Sequence, residues 1–320
     1  MGEKMINGVN RYTLGNLLRG IRETKNLTQS DVKKLVGISE ATLRRIENGE
    51  NLPSLATIES LTNAYKVDIL KIYTDLRAVN AYEVFYEKLD DLIINNDVHK
   101  LQEVYSSFTK FIKENHEEYF DLKEQEQYKL VLKGLETYFK DRSNVKEANE
   151  YYLKALKLRF EEYDLKNYMK YDYNHIELKA LYILALNYCD EEKYHESNEI
   201  LEFIADLEIG DIAKCFSSDK YKLLIKALLN ISYNHFCLNE LEKSLIYADR
   251  GLEKCLEIKS YYLMYALFYR KATALLKLGK EESEYIPYYQ KSFMLLEIQG
   301  SEDLLVKYKQ ITKERYGIDL

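Results

Sequence analysis

Through the first part of the chain, apolar residues recur every three or four positions, the period of helices buried on one face. Leu14, Leu18 and Ile21 predict the inner face of a first helix, with Arg19 and Arg22 on its outside. Thr28 opens a second, with Asp31 as the acidic partner of a capping box, and Val32 and Leu35 supply its apolar face. Gly37 ends that helix, since a left-handed C-terminal residue costs least in Gly. Ser39 caps a third helix, whose Leu43 and Ile46 point inward at i, i+3 before Asn48-Gly49 closes it. Pro53-Ser54 starts a fourth, with Leu55, Ile58 and Leu61 at helical spacing. Lys66-Val67-Asp68 breaks it, and Asp68 caps a fifth helix through Leu76.

The pattern stays helical beyond this head. Val79, Tyr82 and Tyr86 share one side of a connecting helix from Arg77 to about Glu87. Farther on, helices alternate with short polar breaks, and segments align. Asn187 to Leu201 matches Asn234 to Ala248 at an offset of 47, Ala274 to Tyr288 follows at a further 40, and Tyr138 to Tyr152 is a weaker earlier copy. In each of three copies a turn precedes a Tyr, Leu or Val that opens a helix, with Ala or Ser three residues later. The pairs are Val145 with Ala148, Tyr194 with Ser197 and Leu241 with Ser244. A small residue there lets neighbouring helices approach.

Composition agrees with an all-α chain: two Pro and twelve Gly are few for 320 residues, and no alternating strand pattern persists. The organisation expected is a head over residues 1–76, a linker helix over 77–90 and a repeat domain over 91–320. Residues 1–77 hold 12 Lys and Arg against 9 Asp and Glu, whereas the remainder holds 34 against 44. A basic head on an acidic body suits a head that meets phosphate. Cys189, Cys215, Cys237 and Cys255 are far apart and show no C-x-x-C, so they read as reduced packing thiols of a cytoplasmic protein. No apolar leader and no run of 18 apolar residues appears, so neither export nor a membrane span is expected.

The stretch Leu14 to Val67 resembles the Xre/Cro-type helix-turn-helix domain. The matching signs are Leu27-Thr28-Gln29, Gly37-Ile38-Ser39, the run Leu43 to Gly49 and Pro53-Ser54-Leu55, in order. Lys33 stands where the family carries a small Ala, and its stem is expected to snorkel outward. The resemblance implies a five-helix domain that reads double-stranded DNA with its third helix. It places Ser39, Glu40, Ala41 and Arg45 toward base edges, and Gln29, Thr42, Arg44 and Asn48 toward phosphate or the groove margin. The later segments resemble degenerate tetratricopeptide repeats, helical hairpins of about 34 to 47 residues that stack into a solenoid with a concave face.

Enzyme chemistry is not expected. His99, His116, His175, His195 and His235 are scattered without a metal-ligand spacing, Leu278-Gly279-Lys280 lacks the first Gly of a phosphate loop, and no cofactor motif occurs. The repeats offer a binding face instead. Lys226, Asn230 and Asn234 form a polar row at i, i+4, i+8. Asn187 aligns with Asn234 in the preceding repeat, and Arg270 aligns with Asn230 in the following one. Asn can pair with the backbone of an extended peptide, Arg270 can hold a carboxylate, and Tyr262, Tyr265 and Tyr269 offer flat walls. A repressor-type head followed by such repeats resembles the RRNPP quorum-sensing regulators of the Rgg, PlcR and PrgX branch. That resemblance implies a cytoplasmic homodimer whose heads bind a two-fold operator and whose repeats bind a short signalling peptide. The alternatives are a phage arbitrium-type receptor and a DNA-tethered scaffold that docks a protein partner.

Overall fold

The computed structural model describes residues 11–75, 78–95, 98–114, 122–207 and 218–320. The arm before Arg11, Leu76, Arg77, His116 and Cys215 lie outside them, as do the side chains of Val79 and Tyr82. Every regular element among the described residues is helical. The chain divides into two compact units, Met1–Gln125 and Glu126–Leu320.

The first unit opens with α1 (Arg11–Thr24), α2 (Gln29–Val36), α3 (Glu40–Glu47), α4 (Leu55–Tyr65) and α5 (Ile69–Asp75). Their ends follow from local chemistry. Thr28 and Asp31 form the reciprocal capping box, with Asp31 N donating to Thr28 Oγ1 at 3.1 Å and Thr28 N donating to Asp31 Oδ2 at 3.0 Å. The Thr28 hydroxyl, which donates to Asp31 Oδ2 at 2.6 Å, and then the Thr28 amide hold the Asp31 carboxyl below its ordinary range. Gly37 closes α2 at φ 75°, Ser39 caps α3, and Ser54 caps α4. Lys66 takes the left-handed conformation that separates α4 from α5, and Asp68 accepts from Lys71 N.

The apolar stripes meet in one core of Leu14, Leu18, Val32, Leu43, Ile46, Ile58, Leu61, Tyr65 and Ile69. Three expectations change. Leu35 is exposed, and Val36, one helical turn after Val32, packs on the core instead. Leu55 is also exposed, because it is the first residue of α4 and precedes the buried stripe of Ile58, Leu61 and Tyr65. Arg22 is buried rather than on the outside of α1, because it continues the Leu14, Leu18 stripe at i+4 and meets an acidic partner there.

The connecting helix is longer than the sequence pattern suggested: α6 spans Ala78–Asn95 and pairs with α7 (Val98–Glu114). Phe85 meets Phe108 edge to face at 5.0 Å, and Leu89, Leu92, Leu101 and Val104 are buried. Both helices belong to the first compact unit, so the expected boundary after residue 76 falls inside that unit.

The boundary of the second unit falls within α8 (Leu122–Lys140). It continues through α9 (Val145–Lys157), α10 (His175–Asp190), α11 (Tyr194–Ala205), α12 (Ser218–Cys237), α13 (Leu241–Glu257), α14 (Met264–Lys277), α15 (Glu282–Ile298) and α16 (Glu302–Tyr316). From α9 on, each helix packs on the next, and α12 also touches both α10 and α14. That is the neighbour pattern of stacked hairpins. Helices α9, α11 and α13 begin at Val145, Tyr194 and Leu241, the residues the repeat alignment singled out. Ala148, Ser197 and Ser244 are fully buried. Ser232 and Ser244 show why smallness matters: Ser232 Oγ donates to Ser244 O at 2.7 Å and Ser244 Oγ to Ser232 O at 2.8 Å, joining α12 to α13.

The approach of α1 to α3 depends on Gly15. A Cβ there would lie 2.5 Å from Ile46 O and 2.7 Å from Glu47 O, backbone atoms that cannot rotate away. Gly20, on the same helix, faces open space. Gly15→Ala is therefore expected to destabilise the head by about 1–3 kcal/mol through overpacking, whereas Gly20→Ala should stabilise it by roughly 0.5–1 kcal/mol. Hydrogen exchange of the α1 and α3 amides in the full chain measures both, and equal protection in the two variants would contradict this packing.

Candidate functional site

On α3 the residues divide by face. Leu43 and Ile46 enter the core, while Ser39, Glu40, Ala41, Thr42, Arg44, Arg45 and Asn48 are exposed. The Ser39 hydroxyl is engaged in the cap, accepting from Thr42 N at 3.1 Å and lying 2.8 Å from Thr42 Oγ1. Glu40 lies 3.9 Å from Lys33 Nζ, and the Lys33 stem points outward as expected. Asn48 Oδ1 accepts from Arg19 Nη2 at 2.6 Å, and Asn48 Nδ2 donates to Glu50 at 3.2 Å. Arg44 and Arg45 are exposed on this face, and no hydrogen bond or ion pair joins their side chains to other described residues.

Behind that face lies a buried charge pair that the sequence reading did not assign. Glu47 is fully buried and accepts from Arg22 Nε at 2.6 Å and Arg22 Nη2 at 3.0 Å. Gln29 Nε2 donates to the same carboxylate at 2.9 Å, so the amide nitrogen of Gln29 is held inside the head. Arg22 Nη1 also caps Leu27 O at 2.9 Å. The hydrogen bond that Arg22 donates to Glu47, above all, raises the Arg22 pKa. The signal was present: Glu47 follows Leu43 by four residues, and Arg22 follows Leu18 by four, which places both on buried stripes.

In the repeats, the predicted polar residues separate into two groups. Asn187 and Asn234 are buried between helices. Asn187 Nδ2 donates to Asn149 Oδ1 at 2.6 Å, and Asn234 Nδ2 donates to Asn198 Oδ1 at 2.8 Å and Ser197 Oγ at 2.9 Å. These are equivalent bonds in successive repeats, each from the first helix of a hairpin to the second helix of the one before. In the next repeat the counterparts are Ala274 and Leu245, and both positions turn apolar: Ala274 is fully buried, and Leu245 packs on the α14–α15 cluster. An apolar pair in place of the hydrogen-bonded one leaves no group unsatisfied.

Lys226, Asn230 and Arg270 form the other group. Buried Lys226 lies 5.9 Å from the centroid of the Tyr262 ring. Asn230 is half-buried, and its Nδ2 donates to Tyr182 Oη at 2.9 Å and Lys226 O at 2.8 Å. Arg270 lies 4.8 Å over Tyr233 and 5.4 Å over Phe236, which stand three and six residues after Asn230 on α12. Burial pulls the Arg270 guanidinium below its ordinary value, opposed by the tyrosines around it, Tyr308 first. The expected walls are placed differently. Tyr262 and Tyr265 pack on the core cluster of α12 to α14, and Tyr269 meets Tyr289 and Tyr308 edge to face. Tyr233 and Phe236 were not singled out in the sequence, although Tyr233 shares the Asn230 face at i+3.

Residues 13–70 match the family described as a helix-turn-helix domain. The head is a helix-turn-helix domain. No curated protein matches the chain in sequence. Among solved structures, the chain is similar to PlcR of Bacillus thuringiensis, in complex with the peptide PapR7 and DNA, with TM-score 0.61 at 18% identity, covering 92% of this chain and 99% of that one. It is also similar to ComR of S. thermophilus, in complex with DNA and its signalling peptide ComS, with TM-score 0.56 at 18% identity over 95% and 100% of the two chains. A third is the SHP pheromone receptor Rgg2 of Streptococcus dysgalactiae, with TM-score 0.54 at 12% identity over 94% and 99%. The chain has the fold of these proteins along nearly its whole length.

With the helix-turn-helix head assigned, α2 and α3 are its helix pair and Arg22, Glu47 and Gln29 the polar tie behind it. The Asn ties of the repeats are testable in the same terms. Asn234→Ala leaves Ser197 and Asn198 without their partner and is expected to cost about 1–3 kcal/mol. Adding Asn198→Leu, which copies the Ala274/Leu245 arrangement, should restore most of that stability. Urea unfolding of the full chain compares the three proteins, and a double variant no more stable than the single one would show that the pair is not an exchangeable unit.

Proposed function

We propose that this protein is a peptide-responsive transcriptional regulator of the RRNPP type. A homodimer binds a two-fold operator in double-stranded DNA through α3 of each head, and the repeats bind a short signalling peptide that controls operator binding. The observation that carries this is the union in one chain of a helix-turn-helix head, with two uncommitted arginines on the outer face of α3, and a helical-repeat unit. The shared fold with PlcR, ComR and Rgg2 supports it. Among the described residues no helix is long and apolar enough to cross a membrane, in keeping with the cytoplasmic site of action this function requires. The activity is binding rather than catalysis.

Within α3, Ala41 and Arg45 are the residues assigned to base edges, with Ser39 and Glu40 at the helix start. Arg44, Thr42 and Asn48 are assigned to the phosphates, whereas Gln29, whose side-chain amide donates to Glu47, supports α3 from within the head. An Arg that is exposed and unpaired in the free protein suits guanine, whose O6 and N7 accept both donors of one guanidinium edge. On the repeats, Asn230, Lys226, Tyr233 and Arg270 are assigned to the peptide face, and Asn187 and Asn234 support it from between the helices.

Arg45→Ala is expected to lose about 1–3 kcal/mol of affinity for the duplex selected by the wild-type protein from random DNA, and to relax preference at one position of each half-site. Fluorescence anisotropy and a repeated selection read both effects; unchanged affinity and an unchanged consensus would remove Arg45 from the base-reading set.

One head makes too few base contacts to specify an operator alone, so a two-fold pair of half-sites about one helical turn apart, or a multiple of it, is expected. Sedimentation velocity at micromolar concentration should give a dimer. A monomer that protects an asymmetric site would overturn the two-fold arrangement.

A further inference from the structure

Among the described residues Arg270 is a cation without an answering anion. Two other buried or half-buried basic groups are met: Arg22 by Glu47 and Lys271 by Asp249, each at 2.6 Å. Arg270 has no ion-pair or hydrogen-bond partner among the described residues, and its Nε is buried without one. Its surroundings are mostly aromatic: the guanidinium lies over Tyr233 and Phe236, and Tyr308, Tyr316 and Cys237 are also near it.

Taking a guanidinium out of water without a counter-ion is unfavourable. Stacking on aromatic faces recovers part of that cost and fixes the plane of the group. Arg does not escape the cost by losing its proton. What stays open is the in-plane edge, a fork of N–H donors that matches the two oxygens of a carboxylate. Asn230 stands one turn before Tyr233 on the same α12 face, and with its Nδ2 committed to Tyr182 and Lys226 its Oδ1 can accept from a peptide N–H, so that acceptor and a fork that can meet a carboxylate adjoin one aromatic surface.

We propose that Arg270, stacked on Tyr233 and Phe236, is the anchor for a carboxylate of the ligand. This rests on the peptide reading above and narrows it: the ligand is a short peptide that presents a free carboxylate, either its C-terminus or an Asp or Glu side chain.

The test uses the full chain and three pools of N-acetylated seven-residue peptides, with bound peptides counted by mass spectrometry after affinity selection. The first pool lacks Asp and Glu and ends in a free acid. The second is the same set ending in an amide. The third ends in an amide and carries one Asp or Glu at a varied position. Capture from the first or third pool is expected to exceed capture from the second at least tenfold, and the better of the two identifies which carboxylate binds. Arg270→Met, which keeps an unbranched stem against the rings, should abolish the preference. Arg270→Lys, which keeps charge but not the fork, should retain only part of it. Equal capture of acid and amide pools by the wild-type protein overturns the anchor while leaving a peptide receptor standing. Capture of none of the three pools overturns the peptide reading and the anchor together.

Discussion

The buried pair between Arg22 and Glu47 is the constraint on which the helix-turn-helix head depends. It joins the end of α1 to the end of α3, and Gln29 draws the start of α2 onto the same carboxylate. Three helices are thereby held by one anion that is wholly removed from water. Such a pair adds little net stability compared with a well-packed apolar substitute, because desolvation offsets the attraction, yet breaking one side of it is costly. Its consequence here is orientation. Apolar stripes allow helices to slide or roll against each other, whereas a two-pronged guanidinium accepts one register. Gly15 works in the same direction by letting α1 touch the backbone of α3 directly. The outer face of α3 is therefore presented on a helix whose rotation is set from behind.

The repeats solve the same problem with neutral groups. Hairpins stacked by apolar contact alone have no strong preference for one axial register over its neighbours. The bonds from Asn187 to Asn149 and from Asn234 to Asn198 and Ser197 give each hairpin a polar mark that must coincide with the one before it. The exchange of Ser232 and Ser244 does this within a hairpin. Where the series ends, at Ala274 and Leu245, Lys271 and Asp249 supply a charged tie between the same two helices, α14 and α13. Asn230 stands apart from these ties, since its amide reaches across to Tyr182 on a first helix rather than into the preceding second one.

Two kinds of cation are thus present, and they differ in what they can bind. Arg44 and Arg45 are exposed and solvated, so their attraction for phosphate is long-ranged, salt-dependent and cheap to leave unmet. Arg270 is half-buried and held flat by aromatic rings, so its preference is short-ranged and directional. The first kind suits a polyanion found by diffusion along its length. The second suits a single small anion that displaces little water when it arrives.

The sequence by itself determined the local structure. The Thr28–Asp31 capping box, the Gly37 stop, the caps at Ser39 and Ser54, and the helix starts at Val145, Tyr194 and Leu241 all stand where the pattern put them, because each depends on residues within four positions of one another. The tertiary structure alone decided which polar residues are partners. Arg22 looked like a surface residue until Glu47, 25 positions away, was brought to it. Asn187 and Asn234 looked like a ligand row until Asn149 and Asn198 arrived from the preceding hairpins, 38 and 36 positions away. An amide or a guanidinium carries the same donors whether it faces a ligand or a neighbouring helix. Its role is set by whichever acceptor the packing delivers, and no local pattern records that choice.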